Sequence, residues 1–222
     1  MFKAVLFDLD GTLADTAPDL GNAANMLLRE EDRAECPLDS LRPFTSQGVR
    51  GLLRAGFGIS PEHADYPRLA QRFLDLYEAR LCDETRLFAG IPELLDYLEA
   101  SRIAWGVVTN KRRRFTEPLT IRLGLSPRTQ CIVSGDSTAE AKPSPLPLLH
   151  ACELLGCLPE STIYVGDDQR DVMAGKAAGC LTVAVSYGYL GDGAPLGDWG
   201  ADLIIDHPGE LSAYLATRGV PK

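Results

Sequence analysis

Lys3-Ala4-Val5-Leu6-Phe7-Asp8-Leu9-Asp10-Gly11-Thr12 decides how the rest of the chain is read. Its apolar run, after Lys3, suits a strand buried on both faces, as strands of parallel sheets are. Two carboxylates, a glycine and a threonine follow at once, so the strand ends in a turn that carries charge. Outward from it, Ala104 to Val108, Cys131 to Val133, Thr162 to Val165, Leu181 to Val185 and Asp202 to Ile205 read as further buried strands. Helical patterns alternate with them. Ile91 to Ala100 sets Leu94, Leu95 and Leu98 on one face. Arg114 to Leu123, Pro145 to Leu155 and Asp168 to Ala178 stop at Gly124, Gly156 and Gly179, glycine being the common helix terminator.

Strand–helix alternation with near-continuous apolar strands predicts an α/β fold, a doubly wound parallel-sheet (Rossmann-like) core. One stretch breaks the rhythm. Leu20 to Arg29, Gly48 to Phe57 and Pro61 to Leu81 are helical patterns with no strand between them. We expect residues 15–83 to form an inserted helical cap domain, a lid over the site, and residues 1–14 with 84–222 to form the catalytic core. Gly188 to Gly200 reads as a loop before the last strand.

Four polar clusters fall at or near strand ends: Asp8-Leu9-Asp10-Gly11-Thr12, Thr109-Asn110, Lys142-Pro143 and Gly166-Asp167-Asp168-Gln169-Arg170-Asp171. Ligands of open parallel sheets bind outside the carboxyl ends of the strands. Taken singly, Asp10-Gly11 is also a plain turn and Thr109-Asn110 a plain helix cap. Together they crowd carboxylates into one crevice, where like charges repel and raise one another's pKa. A hard divalent cation relieves this, and few protein oxygens suit Mg²⁺. A carboxylate facing phosphorus beside such a cation is a nucleophile through an aspartyl-phosphate. A second carboxylate protonates the leaving alkoxide and then activates water. Thr109, Asn110 and Lys142 offer hydroxyl, amide and ammonium donors to phosphoryl oxygens.

The ordered set Asp8-x-Asp10-Gly11-Thr12, Thr109-Asn110, Lys142-Pro143 and Gly166-Asp167-x-x-x-Asp171 resembles the four motifs of the haloacid dehalogenase superfamily, over essentially the whole chain. The resemblance implies Asp8 as nucleophile and Asp10 as general acid/base, with Mg²⁺ held by Asp8, Asp10 (through its backbone carbonyl) and Asp167. It implies Thr109 and Lys142 as phosphoryl-binding residues and Asp171 as an outer-shell acid. Asp10 argues for a phosphatase over a dehalogenase. Asp168 stands where such phosphatases often carry a small polar residue, and its role is open. The chain looks most similar to the phosphoglycolate phosphatases, with N-acetylmuramic acid 6-phosphate as the alternative substrate and a sugar-phosphate mutase or a non-catalytic phosphate sensor as further readings. A receiver domain also clusters Asp, Thr and Lys at strand ends, but it lacks the helical insert and the Asp-x-Asp-Gly-Thr start. In the cap, Thr45-Ser46-Gln47-Gly48-Val49-Arg50 is the segment expected to set specificity. Gly48 allows close backbone approach, Arg50 pairs a substrate carboxylate, and Ser46 belongs to the same set two residues before Gly48. A helix start with a solvent-facing Arg is the plainer alternative.

Of 222 residues, 45% are hydrophobic, enough to bury a core, and the net charge of −9 argues against nucleic acid as a partner. The dense basic run Lys111-Arg112-Arg113-Arg114 reads first as a solvated helical turn and second as a lure for an anion. No apolar run is long enough to span a membrane. The six cysteines, Cys36, Cys82, Cys131, Cys152, Cys157 and Cys180, make no C-x-x-C pair. Their scatter and the lack of a signal segment predict a cytoplasmic protein. A small phosphorylated metabolite is the expected partner, met by a monomer or homodimer.

Overall fold

A computed structural model describes residues 1–129 and 131–218. Residue 130 and the last four residues of the expected core, 219–222, lie outside the described residues. Six strands form one parallel sheet: β1 (Ala4–Phe7), β4 (Ala104–Val108), β5 (Ile132–Val133), β6 (Thr162–Gly166), β7 (Leu181–Val185) and β8 (Leu203–Ile205), in the order β5-β4-β1-β6-β7-β8. β1 is central. Phe7 registers with Val107 of β4 on one side and Val165 of β6 on the other.

Burial on both faces explains the unbroken apolar runs. Val5 and Phe7 face one core cluster with Leu94 and Leu98 of α5 (Ile91–Ala100) and Leu211 and Leu215 of α9 (Pro208–Thr217). Leu6 faces the opposite cluster, with Leu148 and Cys152 of α7 (Leu146–Leu155) and Ala174 of α8 (Gln169–Ala178). Helices therefore cover both faces, and α6 (Arg113–Arg122) adds Phe115 and Leu119 to the first. The chain steps from β1 to β4 and β5 in one direction. It then returns to lay β6 against the other side of β1, so the order reverses between the two strands that precede Asp8 and Asp167. Such a reversal opens a crevice at the carboxyl ends of the strands.

Residues 17–79 hold α1 (Ala17–Glu30), α2 (Leu38–Leu41), a 3₁₀ turn over Arg42–Gln47, α3 (Gly48–Phe57) and α4 (Tyr66–Ala79). Leu27, Leu28, Leu52, Leu53, Phe73 and Leu76 pack these helices together, within the same cluster as the β1 side chains. A short antiparallel ribbon, β2 (Ala14–Asp15) with β3 (Arg86–Leu87), brackets the helical block and pairs Ala14 with Leu87 and Asp15 with Arg86. The sequence reading contains neither ribbon strand, because two residues carry no detectable alternation. It also lacks α9, although Leu211, Tyr214 and Leu215 have helical spacing.

Candidate active site

Asp8 leaves the end of β1, and its backbone N–H still donates to Val165 O at 2.9 Å. That bond aims the side chain over the crevice. Asp8 is 7% exposed, and Lys142 Nζ sits 2.9 Å from its Oδ1. The same ammonium reaches Asp171 Oδ1 at 2.7 Å, the Tyr164 hydroxyl at 2.8 Å and Val108 O at 3.1 Å. Burial works against the charge on Lys142, but Asp171 and Asp8 outweigh it and hold the ammonium above its ordinary pKa.

Asp167, after β6, is fully buried and accepts hydrogen bonds from Thr12 Oγ1 (3.2 Å), Ser46 Oγ (3.0 Å) and the Tyr189 backbone N–H (2.9 Å). Gly11 packs against it so closely that a Cβ there would lie 2.1 Å from Asp167 Oδ2, and its φ of +85° suits glycine. Asp8, Asp167 and Asp171 each offer a carboxylate oxygen, all within 4.8 Å of one another. Burial, then Asp8 and Asp171, push the Asp167 carboxyl well above its usual range. Burial pushes Asp8 up to about 6 against the pull of Lys142. Three buried carboxylates against one ammonium, all oxygen donors, fit a divalent cation.

Three expected residues have hydrogen-bond partners that the sequence reading does not specify. Asn110 was expected to offer its amide to phosphate. Its Nδ2 donates to Lys142 O and its Oδ1 accepts from Lys142 N, both at 2.9 Å. The amide thus clamps the backbone that carries the ammonium. The Asp10 side chain stands outside the three-carboxylate cluster. It accepts from Lys111 Nζ at 2.9 and 3.0 Å and from Thr16 Oγ1 at 2.6 Å. Asp171, expected as an outer-shell acid, offers one of the clustered oxygens and pairs with Lys142 through Oδ1 at 2.7 Å. Thr109 is buried at the end of β4 and lines the cavity with Asp8 and Lys142. Asp168, left open, caps α8: its side chain accepts from Arg170 N at 2.9 Å while Asp171 Oδ2 accepts from Asp168 N at 3.1 Å, a capping box. It also holds the Arg170 guanidinium at 2.7 and 2.8 Å.

The basic run splits. Lys111 is buried against Asp10 and over the Tyr77 ring, Arg112 lines the cavity, and Arg113 and Arg114 are exposed. Lys111 as the Asp10 partner was missed; only its place directly after Thr109-Asn110 hinted at it.

The 3₁₀ turn over Arg42–Gln47 reaches the site through Ser46. Besides Ser46 Oγ on Asp167, Ser46 O accepts from Arg170 Nη2 at 2.8 Å. The cavity beside it measures about 410 Å³, and Ser46, Gly48 and Arg50 line it together with Asp8, Asp10, Thr109, Asn110 and Lys142. Gly48 adopts φ +58° with open space where a Cβ would stand.

The profile of the family described as "Haloacid dehalogenase-like hydrolase" matches residues 5–185. The chain is 43% identical over 209 residues to an N-acetylmuramic acid 6-phosphate phosphatase of Pseudomonas aeruginosa, covering 94% of this chain and 92% of the relative. It is 41% identical over 210 residues to a phosphoglycolate phosphatase of Xanthomonas campestris pv. campestris, covering 94% of each. The crystal structure of a predicted phosphoglycolate phosphatase from Haemophilus somnus 129pt superposes with a TM-score of 0.85 at 27% identity, over 96% of this chain and 98% of that one. The chain belongs to the haloacid dehalogenase-like hydrolases. Within that family it is a phosphatase, a phosphoric monoester hydrolase.

Proposed function

We propose that the chain hydrolyses a small phosphorylated metabolite in the cytoplasm, with Asp8 as nucleophile and Mg²⁺ as the cation among Asp8, Asp167 and the Asp10 backbone carbonyl. The observation that carries this reading is the placement of Lys142 Nζ 2.9 Å from Asp8 Oδ1, inside a cluster whose carboxylate oxygens lie within 4.8 Å. When bound, Mg²⁺ offsets the carboxylate charge and draws electron density from the phosphoryl oxygens.

The chain's own residues do the rest. An Asp8 oxygen attacks phosphorus, and the bond to the leaving oxygen breaks. Asp10, steadied by Thr16 and Lys111, gives that oxygen its proton. Asp10 then takes a proton from water, water oxygen attacks phosphorus, and the bond to Asp8 breaks. Lys142 and the Thr109 hydroxyl hold the equatorial oxygens, and Asn110 fixes Lys142. Residues 15–83 act as the cap and exclude bulk water. Two substrates come from the relatives, 2-phosphoglycolate and N-acetylmuramic acid 6-phosphate. No helix among the described residues is long and apolar enough to cross a membrane, and the cysteines at all six positions are free thiols, which supports a cytoplasmic site.

The test is phosphate release from a panel of phosphomonoesters, with Mg²⁺ and with EDTA, for the parent and Asp8→Asn. Turnover that needs the metal and vanishes in Asp8→Asn is the expected result; near-normal activity of the variant sinks the nucleophile assignment.

A further inference from the structure

Two hydroxyls in the cap are buried and, among the described residues, meet no partner at hydrogen-bond distance: Oγ1 of Thr45 and the phenol of Tyr77, at 2% and 1% residue exposure, with the Lys111 ammonium over the Tyr77 ring. Both residues line the cavity that holds Asp8 and Lys142. Thr45 comes from the 3₁₀ turn and Tyr77 from α4, so two separate elements bring these residues to the wall of one space. A buried hydroxyl left unpaired costs free energy unless something answers it. Around them the wall is apolar: Val49, Ala70, Phe73, Leu74 and Phe115. Arg50 and Arg112, both exposed, supply guanidinium charge to the same cavity. Its volume of about 410 Å³ falls among cavities that enclose ligands of drug size. A two-carbon phosphate ester leaves most of it empty and has no group to spare for the cap hydroxyls once its phosphoryl and carboxylate groups are held.

We infer that the Thr45 and Tyr77 hydroxyls form a leaving-group subsite for a phosphorylated N-acyl sugar acid rather than for a two-carbon acid. The inference rests on the phosphatase reading above. Ring hydroxyl or amide groups answer the two buried hydroxyls, and the acyl methyl lies on the apolar wall. The carboxylate meets a guanidinium, a pairing that favours Arg over Lys for its planar fork. Burial pushes the Tyr77 phenol up to about 12, so at neutral pH it keeps its proton and can donate.

The experiment compares kcat/KM for N-acetylmuramic acid 6-phosphate and for 2-phosphoglycolate in the parent, Thr45→Val, Thr45→Ser and Tyr77→Phe, with thermal melting to establish folding. The parent is expected to favour the sugar acid. Thr45→Val and Tyr77→Phe should each lower the ratio of the two kcat/KM values about two- to tenfold, the worth of one neutral hydrogen bond. Thr45→Ser, which keeps the hydroxyl, should hold the ratio. A parent that favours 2-phosphoglycolate, or a ratio unmoved in both hydroxyl-deleting variants, overturns the subsite and leaves the phosphatase reading standing. No phosphate release from either ester or from p-nitrophenyl phosphate overturns the phosphatase reading, and the subsite with it.

Discussion

At the scale of the residue, Asp8 and Lys142 pull in opposite senses. The Asp8 carboxyl rises from 3.8 to about 6 in the folded protein, chiefly through burial. The native state therefore holds this proton more tightly than the unfolded chain does. Below about pH 4 both states are protonated and nothing is lost; as pH rises from 4 to 6 the metal-free fold loses stability, on the order of 3 kcal/mol for a shift of two units. Asp8→Asn removes this burden. In EDTA the melting temperature of Asp8→Asn should pull ahead of the parent as pH climbs from 4 to 7, and a constant gap would refute the linkage. Lys142→Met should do the reverse. It strands the Asp8 and Asp171 carboxylates, which should cost on the order of 3–5 kcal/mol of stability by chemical denaturation. Loss of the charge that faces the phosphoryl group should cut kcat at least about a hundredfold.

Much of the site could be read from residues alone. Asp8, Thr109 and Asp167 directly follow apolar runs, and in a parallel sheet that places them at one edge. Lys142 was legible for its motif. What could not be read was how the side chains spend their hydrogen bonds. Thr16, at the N-terminal end of α1, makes no side-chain capping bond and turns its hydroxyl to Asp10 instead. Asn110 answers Lys142, 32 positions away, and Ser46 answers Asp167, 121 positions away. No local pattern carries such information.

At the scale of the element, α8 shows why Asp168 resisted assignment. A second Asp after Asp167 looks like another candidate for the chemistry, yet it is spent on the first turn of a helix and on Arg170. The box matters because Asp171, its other half, also sits in the carboxylate cluster. Replacing Asp168 by Ala should remove about 1 kcal/mol of cap stability and lower the melting temperature by about 2–4 °C. Because Arg170 also ties Ser46 O to the core, the same variant should raise KM more than it lowers kcat; an unchanged KM would separate the helix cap from the lid. The strands and long helices of the core were legible because their apolar positions repeat. β2 and β3, two residues each, sit below the length at which periodicity exists.

At the scale of the whole molecule, an acidic chain builds one place where acidity is concentrated and then offset. Cation binding should stabilise the entire fold, since only the folded chain brings Asp8, Asp167 and the Asp10 backbone carbonyl to one place. At a free Mg²⁺ concentration of about 100 Kd the gain is about 2.7 kcal/mol, or about 5–10 °C in melting temperature for a chain of this size. Asp167→Asn should lose most of that increment while melting higher than the parent in EDTA, where its buried charge is relieved. Differential scanning fluorimetry with and without Mg²⁺ reads both effects, and an undiminished metal response in Asp167→Asn would remove Asp167 from the cation site.

The β2–β3 ribbon has a consequence for inheritance. Because Ala14 pairs with Leu87 and Asp15 with Arg86, the chain departs from the core and re-enters it at neighbouring points. Some seventy residues are spliced in there without disturbing the sheet, since the closure cost of such an excursion grows only slowly with its length. The helical block is thus a cassette. A chimera that keeps the ribbon and the hydroxyl at position 46, and takes everything else between from another member of the family, should fold and acquire the donor's choice of leaving group. New specificities can then arise by exchange of one cassette while the machinery beneath it stays fixed.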